Sequence, residues 1–159
     1  MVQILSTNNR HGARNTLLPN PQILRKTLQF GPLFLFQTRS FAPASEYIEI
    51  PPEFTSLIVK LKQYSKEINH IVVNEYLPGQ GIKSHIDSPD LFGAVIVSLS
   101  LLSDCVMTFT RKESGGQVQK FLKRRSLVVL DEEARFEWGH EISKDLVELI
   151  DGLEVSTNA

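Results

Sequence analysis

Cysteine is almost missing from this chain: Cys105 is the only one in 159 residues, so no intramolecular disulfide can staple the fold. In Leu-Leu-Ser-Asp-Cys-Val-Met-Thr-Phe it reads as a small buried hydrophobe and suits a reducing compartment. Excess charge is missing too. Seventeen Lys and Arg face eighteen Asp and Glu, so no global field draws a polyanion and any basic surface has to be local. No apolar run is long enough to span a bilayer, and the N-terminus lacks a signal-peptide layout. These absences lead to the expectation of an intracellular protein, in the cytoplasm and/or nucleus, with no membrane association. What remains is ordinary globular material, 42% hydrophobic and 22% charged, enough for one domain with a proper core. The sequence holds no internal repeat and no low-complexity tract, and nothing in it reports the oligomeric state.

Residues 1–20 are polar, and Asn8-Asn9-Arg10-His11-Gly12 marks them as loop or disordered terminus. Gln22 to Gln37 is apolar but divided by Gly31-Pro32, which predicts two short strands around a turn. Phe41 to Ile50 reads as loop. Pro51-Pro52-Glu53 opens a helix. Phe54, Leu57, Ile58, Leu61, Tyr64 and Ile68 then recur at helical spacing, predicting an amphipathic helix to about residue 67. From Ile71 the period becomes that of strands: Ile71–Tyr76, Leu91–Leu102, then Val106–Arg111 and Gln117–Leu122 as a hairpin around Ser114-Gly115-Gly116, then Ser126–Leu130. Ala134 to Trp138 alternates into His140, and Leu146 to Ile150 is one more short strand. The pattern predicts a mainly β (α+β) fold, a sandwich or jelly roll with a supporting N-terminal amphipathic helix.

The chemistry concentrates in Asn74 to Asp87, Asn-Glu-Tyr-Leu-Pro-Gly-Gln-Gly-Ile-Lys-Ser-His-Ile-Asp. His85 and Asp87, two apart on an extended strand, point to one face and can converge on one metal ion. Two ligands hold a catalytic metal poorly, and His140 is the only histidine downstream. Two imidazoles and one carboxylate with open positions opposite are the ligand set of non-haem Fe(II) oxygenases, although the same set can bind Mn(II), Ni(II) or Zn(II). A lone His-x-Asp is a weak signal, and a histidine beside Trp138 is by itself more simply a packed one. The turn Pro78-Gly79-Gln80-Gly81 and the apolar strand Ala94–Leu102 strengthen the metal reading by framing the pair as the rim of a site.

The pattern Asn-x-Tyr-x-x-Gly-x-x-Ile-x-x-His-x-Asp, carried by Asn74, Tyr76, Gly79, Ile82, His85 and Asp87, resembles the core motif of the AlkB-like Fe(II)/2-oxoglutarate dioxygenases. Phe92-Gly93, Ile96–Leu101, Met107-x-Phe109, Arg125–Leu130, Glu133–Phe136 and Trp138-x-His140-x-Ile142 extend the likeness from about residue 50 to 152. It is closest to the subgroup holding the tRNA-modifying homologue. The resemblance implies a double-stranded β-helix in which His85, Asp87 and His140 hold Fe(II) and Asn74 and Tyr76 donate hydrogen bonds to 2-oxoglutarate. Family members use O2 at the metal, convert 2-oxoglutarate to succinate and hydroxylate a C–H bond; an N-methyl group so treated leaves as formaldehyde. The implied partner is nucleic acid, with RNA and tRNA ahead of DNA and its repair. Alternatives are a truncated non-catalytic member that keeps the fold and metal binding, and an oxygenase acting on protein.

One departure stands out. The family's last strand carries two arginines that clamp the co-substrate's carboxylates, in an Arg-x-(Ser/Asn)-x-Thr-x-Arg pattern, whereas no arginine follows Arg135 here. The expectation is a single domain over 1–159 truncated at its C-terminus, with an exposed sheet edge where a strand is missing. Arg125 and Arg135 are the weak candidates for a substitute anchor. For the substrate, Arg25 and Lys26 are the candidate phosphate contacts, while Phe30, Phe34, Phe36 and Phe41 read as core.

Overall fold

The computed structural model describes residues 1–7 and 25–156 of the chain. The expectations for residues 8–24 lie outside the described residues. Two antiparallel sheets face each other. The larger one runs β10 (Leu127–Leu130), β7 (Phe92–Leu99), β1 (Val2–Thr7), β5 (His70–Glu75) and β2 (Lys26–Phe30). The smaller one runs β6 (Ile82–His85), β11 (Trp138–Ile142), β8 (Cys105–Arg111) and β9 (Gln117–Leu122). This is the jelly roll expected from the strand pattern, and the chain alternates between its two layers. The hairpin β8–β9 and the two short strands on either side of Gly31-Pro32 fall where the turn signals put them, although those two strands pair with other partners and not with each other. Gly31 adopts φ 93, open to glycine alone at low cost, and a Cβ there would run into the Asn69 carbonyl.

Three expectations need correction. Val2–Thr7 is not loop: it is the middle strand of the larger sheet, antiparallel to both β5 and β7. Val2 and Ile4 are buried against Ile71, Val97 and Leu61. Their alternation is short and is diluted by the polar residues that follow. β1 thus pairs with β5 and β7 at once and joins them into one sheet.

The helix is the second correction. A 3-10 turn at Pro52–Phe54 leads into α1 (Thr55–Leu61), which ends six residues early. Phe54, Leu57, Ile58 and Leu61 already cover the outer face of the sheet, whereas Tyr64 is exposed, so another turn would bury nothing. Third, Glu132–Phe136 is a short helix, α2, where alternation pointed to strand. Glu132 and Glu133 lie in its first turn, where acidic side chains favour a helix N-terminus. Beyond Ile150, for which the sequence pattern offered no element, the chain adds a hairpin. Asp151 and Gly152 take φ 50 and 79, the turn of a two-residue hairpin, and β13 (Leu153–Ser156) folds back on β12 (Val147–Ile150).

Between the sheets, Phe34, Val72, Phe92, Ile96 and Leu130 form a core joined by Phe36, Phe41 and Phe109. Phe34 and Phe41 belong to a small two-stranded piece, β3 (Phe34–Leu35) with β4 (Ser40–Phe41). His70 stacks flat on Phe92, ring centroids 5.7 Å apart, and its Nε2 donates to Gln29 Oε1 at 3.2 Å. Gln29 in turn holds the Phe34 backbone through both amide atoms, at 3.0 and 3.1 Å.

Candidate metal centre

The smaller sheet brings the candidate ligands together. In the antiparallel pairing of β6 with β11, His140 lies directly opposite His85. Opposed residues in such a pair present their side chains on one face, so residues far apart in sequence meet without any special loop. Asp87 lies two positions beyond His85 and returns to that face. One ligand atom from each of the three lies within 4.8 Å of the others. His85 Nε2 stands 3.9 Å from Asp87 Oδ1, and His140 Nε2 stands 3.8 Å from Asp87 Oδ2. Gly81 makes the approach of the strands possible: a Cβ there would collide with the Ile142 carbonyl.

The electrostatics suit a cation. The Nδ1–H of His85 donates to the Lys83 carbonyl at 2.8 Å, which leaves Nε2 with its lone pair toward the cluster. His140 is 3% exposed. Burial pulls its pKa down to about 4, with Asp87 opposing and His85 and Arg135 adding to the fall. At neutral pH it is therefore a neutral ligand that need shed no proton. Asp87 Oδ2 is buried and has no hydrogen-bond partner among the described residues. A carboxylate oxygen in that condition is costly unless a cation reaches it. These three residues fit a metal ion such as Fe(II).

Behind the cluster sits a residue whose role the sequence hid. Arg135 is 2% exposed, and its guanidinium donates to the carbonyls of Asp87 at 2.8 Å and Gly93 at 3.1 Å. Longer contacts reach Ser88 and Phe92. It ties the Asp87–Gly93 loop to α2, so the backbone of one candidate ligand is fixed from below. All three of its guanidinium nitrogens are engaged by these carbonyls. An arginine enclosed by Ala134 and Phe136 was the available signal. Arg125 lies in the turn before β10 at φ 67, its backbone N–H donating to the Ser100 carbonyl at 2.8 Å.

Asn74 and Tyr76 come from the end of β5. Asn74 is buried, and its Oδ1 accepts from Arg25 Nε and Thr27 Oγ1, both at 2.9 Å. With its oxygen so occupied, the amide group of Asn74 is left to donate. Burial pushes the Tyr76 phenol up to about 12, opposed by Arg25 and reinforced by Cys105 and Asp87, so it stays a protonated donor at neutral pH. The Arg25 guanidinium lies 5.8 Å from the centre of the Tyr76 ring. Lys26 points the other way and pairs with its cross-strand neighbour Glu75 at 2.9 Å, well exposed. A cleft of about 580 Å³ opens beside Asn74 and Tyr76, lined also by Thr27, Leu77, Ser100 and Ile142; the three candidate ligands do not line it.

A double-stranded β-helix gathering two imidazoles and a carboxylate is the framework of the non-haem iron oxygenases. The model of the 2OG-Fe(II) oxygenase superfamily matches residues 36–152, and the chain belongs to that superfamily. Its relatives place it among the AlkB-like members. It is 42% identical over 96 residues to the mouse tRNA (carboxymethyluridine(34)-5-O)-methyltransferase ALKBH8, covering 58% of this chain and 14% of that protein. It is 32% identical over 111 residues to uncharacterized protein L905 of Acanthamoeba polyphaga mimivirus, covering 67% and 53%. With the Alkylated DNA repair protein ALKBH8 homolog of Arabidopsis thaliana it shares 28% over 143 residues, covering 74% and 41%. The chain thus spans between 14% and 53% of the length of these relatives.

Proposed function

We propose that this chain is an Fe(II)- and 2-oxoglutarate-dependent dioxygenase that oxidises a modified base in nucleic acid, with RNA, and tRNA in particular, ahead of DNA. The observation that carries the enzymatic reading is the convergence of His85, Asp87 and His140 around a buried carboxylate oxygen left without a donor. Fe(II), when bound, supplies the oxidising chemistry: O2 and 2-oxoglutarate go to succinate and carbon dioxide as one oxygen atom enters a C–H bond of the substrate.

The protein's share is holding and orienting. His85 and His140 offer neutral nitrogens, the first locked in its tautomer by the Lys83 carbonyl, the second kept unprotonated by burial. Asp87 supplies negative charge, and Arg135 holds its backbone in place. Asn74 and Tyr76 donate to the co-substrate. Phe34, Phe41, Phe92 and Phe109 pack the space between the sheets and exclude water from it. The nucleic-acid reading is supported by the names of the relatives, which speak of tRNA, alkylated DNA repair and, for a zebrafish protein 30% identical over 94 residues, RNA/DNA demethylation.

The test is succinate release from 2-oxoglutarate with Fe(II), with and without methylated RNA and DNA oligonucleotides. Stimulation by RNA over DNA supports the full reading. Turnover indifferent to every oligonucleotide moves the substrate to protein. Metal binding without succinate identifies a non-catalytic member.

A further inference from the structure

We propose that the free edge of the smaller sheet, strand β9 with the basic turn that follows it, binds the phosphate backbone of a single-stranded nucleic acid whose modified base enters the metal centre; this rests on the nucleic-acid reading above. Strand register ties that edge to the candidate ligands. His140 lies opposite His85 on one side and Phe109 on the other, and Phe109 lies opposite Val118 of β9. Opposed residues share a face, so one row runs from both histidines to Val118, and Lys120 follows two positions on. With strands about 4.8 Å apart, Val118 stands about 10 Å across the sheet from His140. A base can reach such a site only when it is turned out of its stack, which leaves its neighbouring phosphates at the rim.

Charge is sorted along the chain although its total is near zero. From Arg111 to Arg125 six basic side chains meet one acidic one, Glu113, whereas Asp131 to Glu154 holds nine acidic against Arg135 and Lys144. Lys120, Lys123, Arg124 and Arg125 are exposed and pair with no carboxylate among the described residues. Lys26, by contrast, is taken by Glu75, and Arg111 by Glu133 and Glu137. The backbone holds the turn in place: Asp104 Oδ1 accepts the Arg124 N–H at 2.6 Å, and the Ser100 carbonyl accepts that of Arg125 at 2.8 Å. Phe121, 37% exposed, stands between Lys120 and Lys123. Cations beside an uncovered aromatic ring suit a single strand, which offers phosphates to the first and a base to the second. The competing role is to guard a bare strand edge against pairing with another chain. Losing such a guard would promote self-association and leave nucleic-acid binding untouched.

The test is the salt dependence of binding to a single-stranded RNA of about a dozen nucleotides, followed by fluorescence anisotropy on the Mn(II)-loaded chain. On a single strand each neutralised phosphate adds about 0.7 to the slope of log K against log salt. Lys120→Gln/Lys123→Gln/Arg124→Gln is expected to lower that slope by about 2. Lys60→Gln/Lys62→Gln/Lys66→Gln removes the same charge from exposed positions in and after α1, which covers the other sheet, and should leave the slope unchanged. Phe121→Ala should weaken binding about 10-fold at every salt concentration and keep the slope, since stacking releases no counterions. Equal slopes in wild type and the first triple variant, or equal losses in both triple variants, overturn the assignment while the nucleic-acid reading stands. Poly-glutamate bound as tightly as RNA, through the same three cations, moves the patch to acidic proteins and overturns it too. Wild-type protein that binds Mn(II) but no RNA or DNA strand overturns both.

Discussion

Arg135 offers the sharpest single perturbation of the candidate metal centre, because its hydrogen bonds reach that centre through the backbone of Asp87. Arg135→Met keeps much of the apolar stem and removes the guanidinium. Two good hydrogen bonds from a charged donor go, at 2.8 and 3.1 Å, along with two long ones. At about 1.5–3 kcal/mol for each good bond, the gross loss is about 3–6 kcal/mol. Some returns, because a buried cation no longer has to be desolvated, so a net destabilisation of about 2–4 kcal/mol is expected. Against a total stability of about 5–15 kcal/mol the variant still folds at low temperature. With the Asp87–Gly93 loop released, metal affinity should fall about 10- to 100-fold, as it does when outer support of a ligand is lost. Urea unfolding of the apo protein measures the first effect and calorimetric Mn(II) titration the second. Arg135→Lys should rescue charge but not the four-carbonyl reach. Lowered stability with unaltered metal affinity would refute the claim that Arg135 positions Asp87.

Three further outcomes are expected. Asp87→Ala should abolish Mn(II) and Fe(II) binding while leaving unfolding little changed or slightly harder, since a buried oxygen without a donor is removed; retained metal affinity would sink the ligand assignment. Tyr76→Phe should weaken 2-oxoglutarate by about one hydrogen bond, on the order of 1 kcal/mol, and an unaltered dissociation constant would make the phenol structural only. His70 gives a pH signature: burial lowers its pKa from 6.5 to about 3, so between those values the unfolded chain holds a proton that the folded one does not. Apo stability is therefore untouched by this residue above pH 6.5 and falls as pH drops toward 3, by about 1.4 kcal/mol per pH unit. His70→Leu should flatten the profile by that slope, and parallel profiles for variant and wild type would contradict the buried neutral form.

Local periodicity made much of the fold legible. The strands from Ile71 to Leu130, the hairpin at Ser114–Gly116 and the break at Gly31-Pro32 are written in nearest neighbours, because alternation and turn chemistry act over a few residues. His85 and Asp87 could be paired on sight for the same reason: strand geometry alone aims both to one face. His140 was legible by composition, as the one histidine left downstream, but only the register of β11 against β6 sets it opposite His85.

What the tertiary structure decided involves partners distant in sequence. Val2–Thr7 is too short to announce itself, yet it is held between β5 and β7 because both central strands need a neighbour. α1 stops at Leu61, and Ile68 packs on the same core from outside the helix, so the apolar spacing that suggested a longer helix is satisfied by packing instead. Arg25 and Lys26 are adjacent and chemically alike on paper. The pleat of β2 sends one inward to Asn74 and Tyr76 and the other outward to Glu75 and water. Arg135 reads in the sequence as a candidate co-substrate anchor, and α2 instead turns it under the Asp87 loop. Residue type determines which chemistry a side chain can perform. Which face it lands on depends on strand register, and that is fixed only when the sheets assemble.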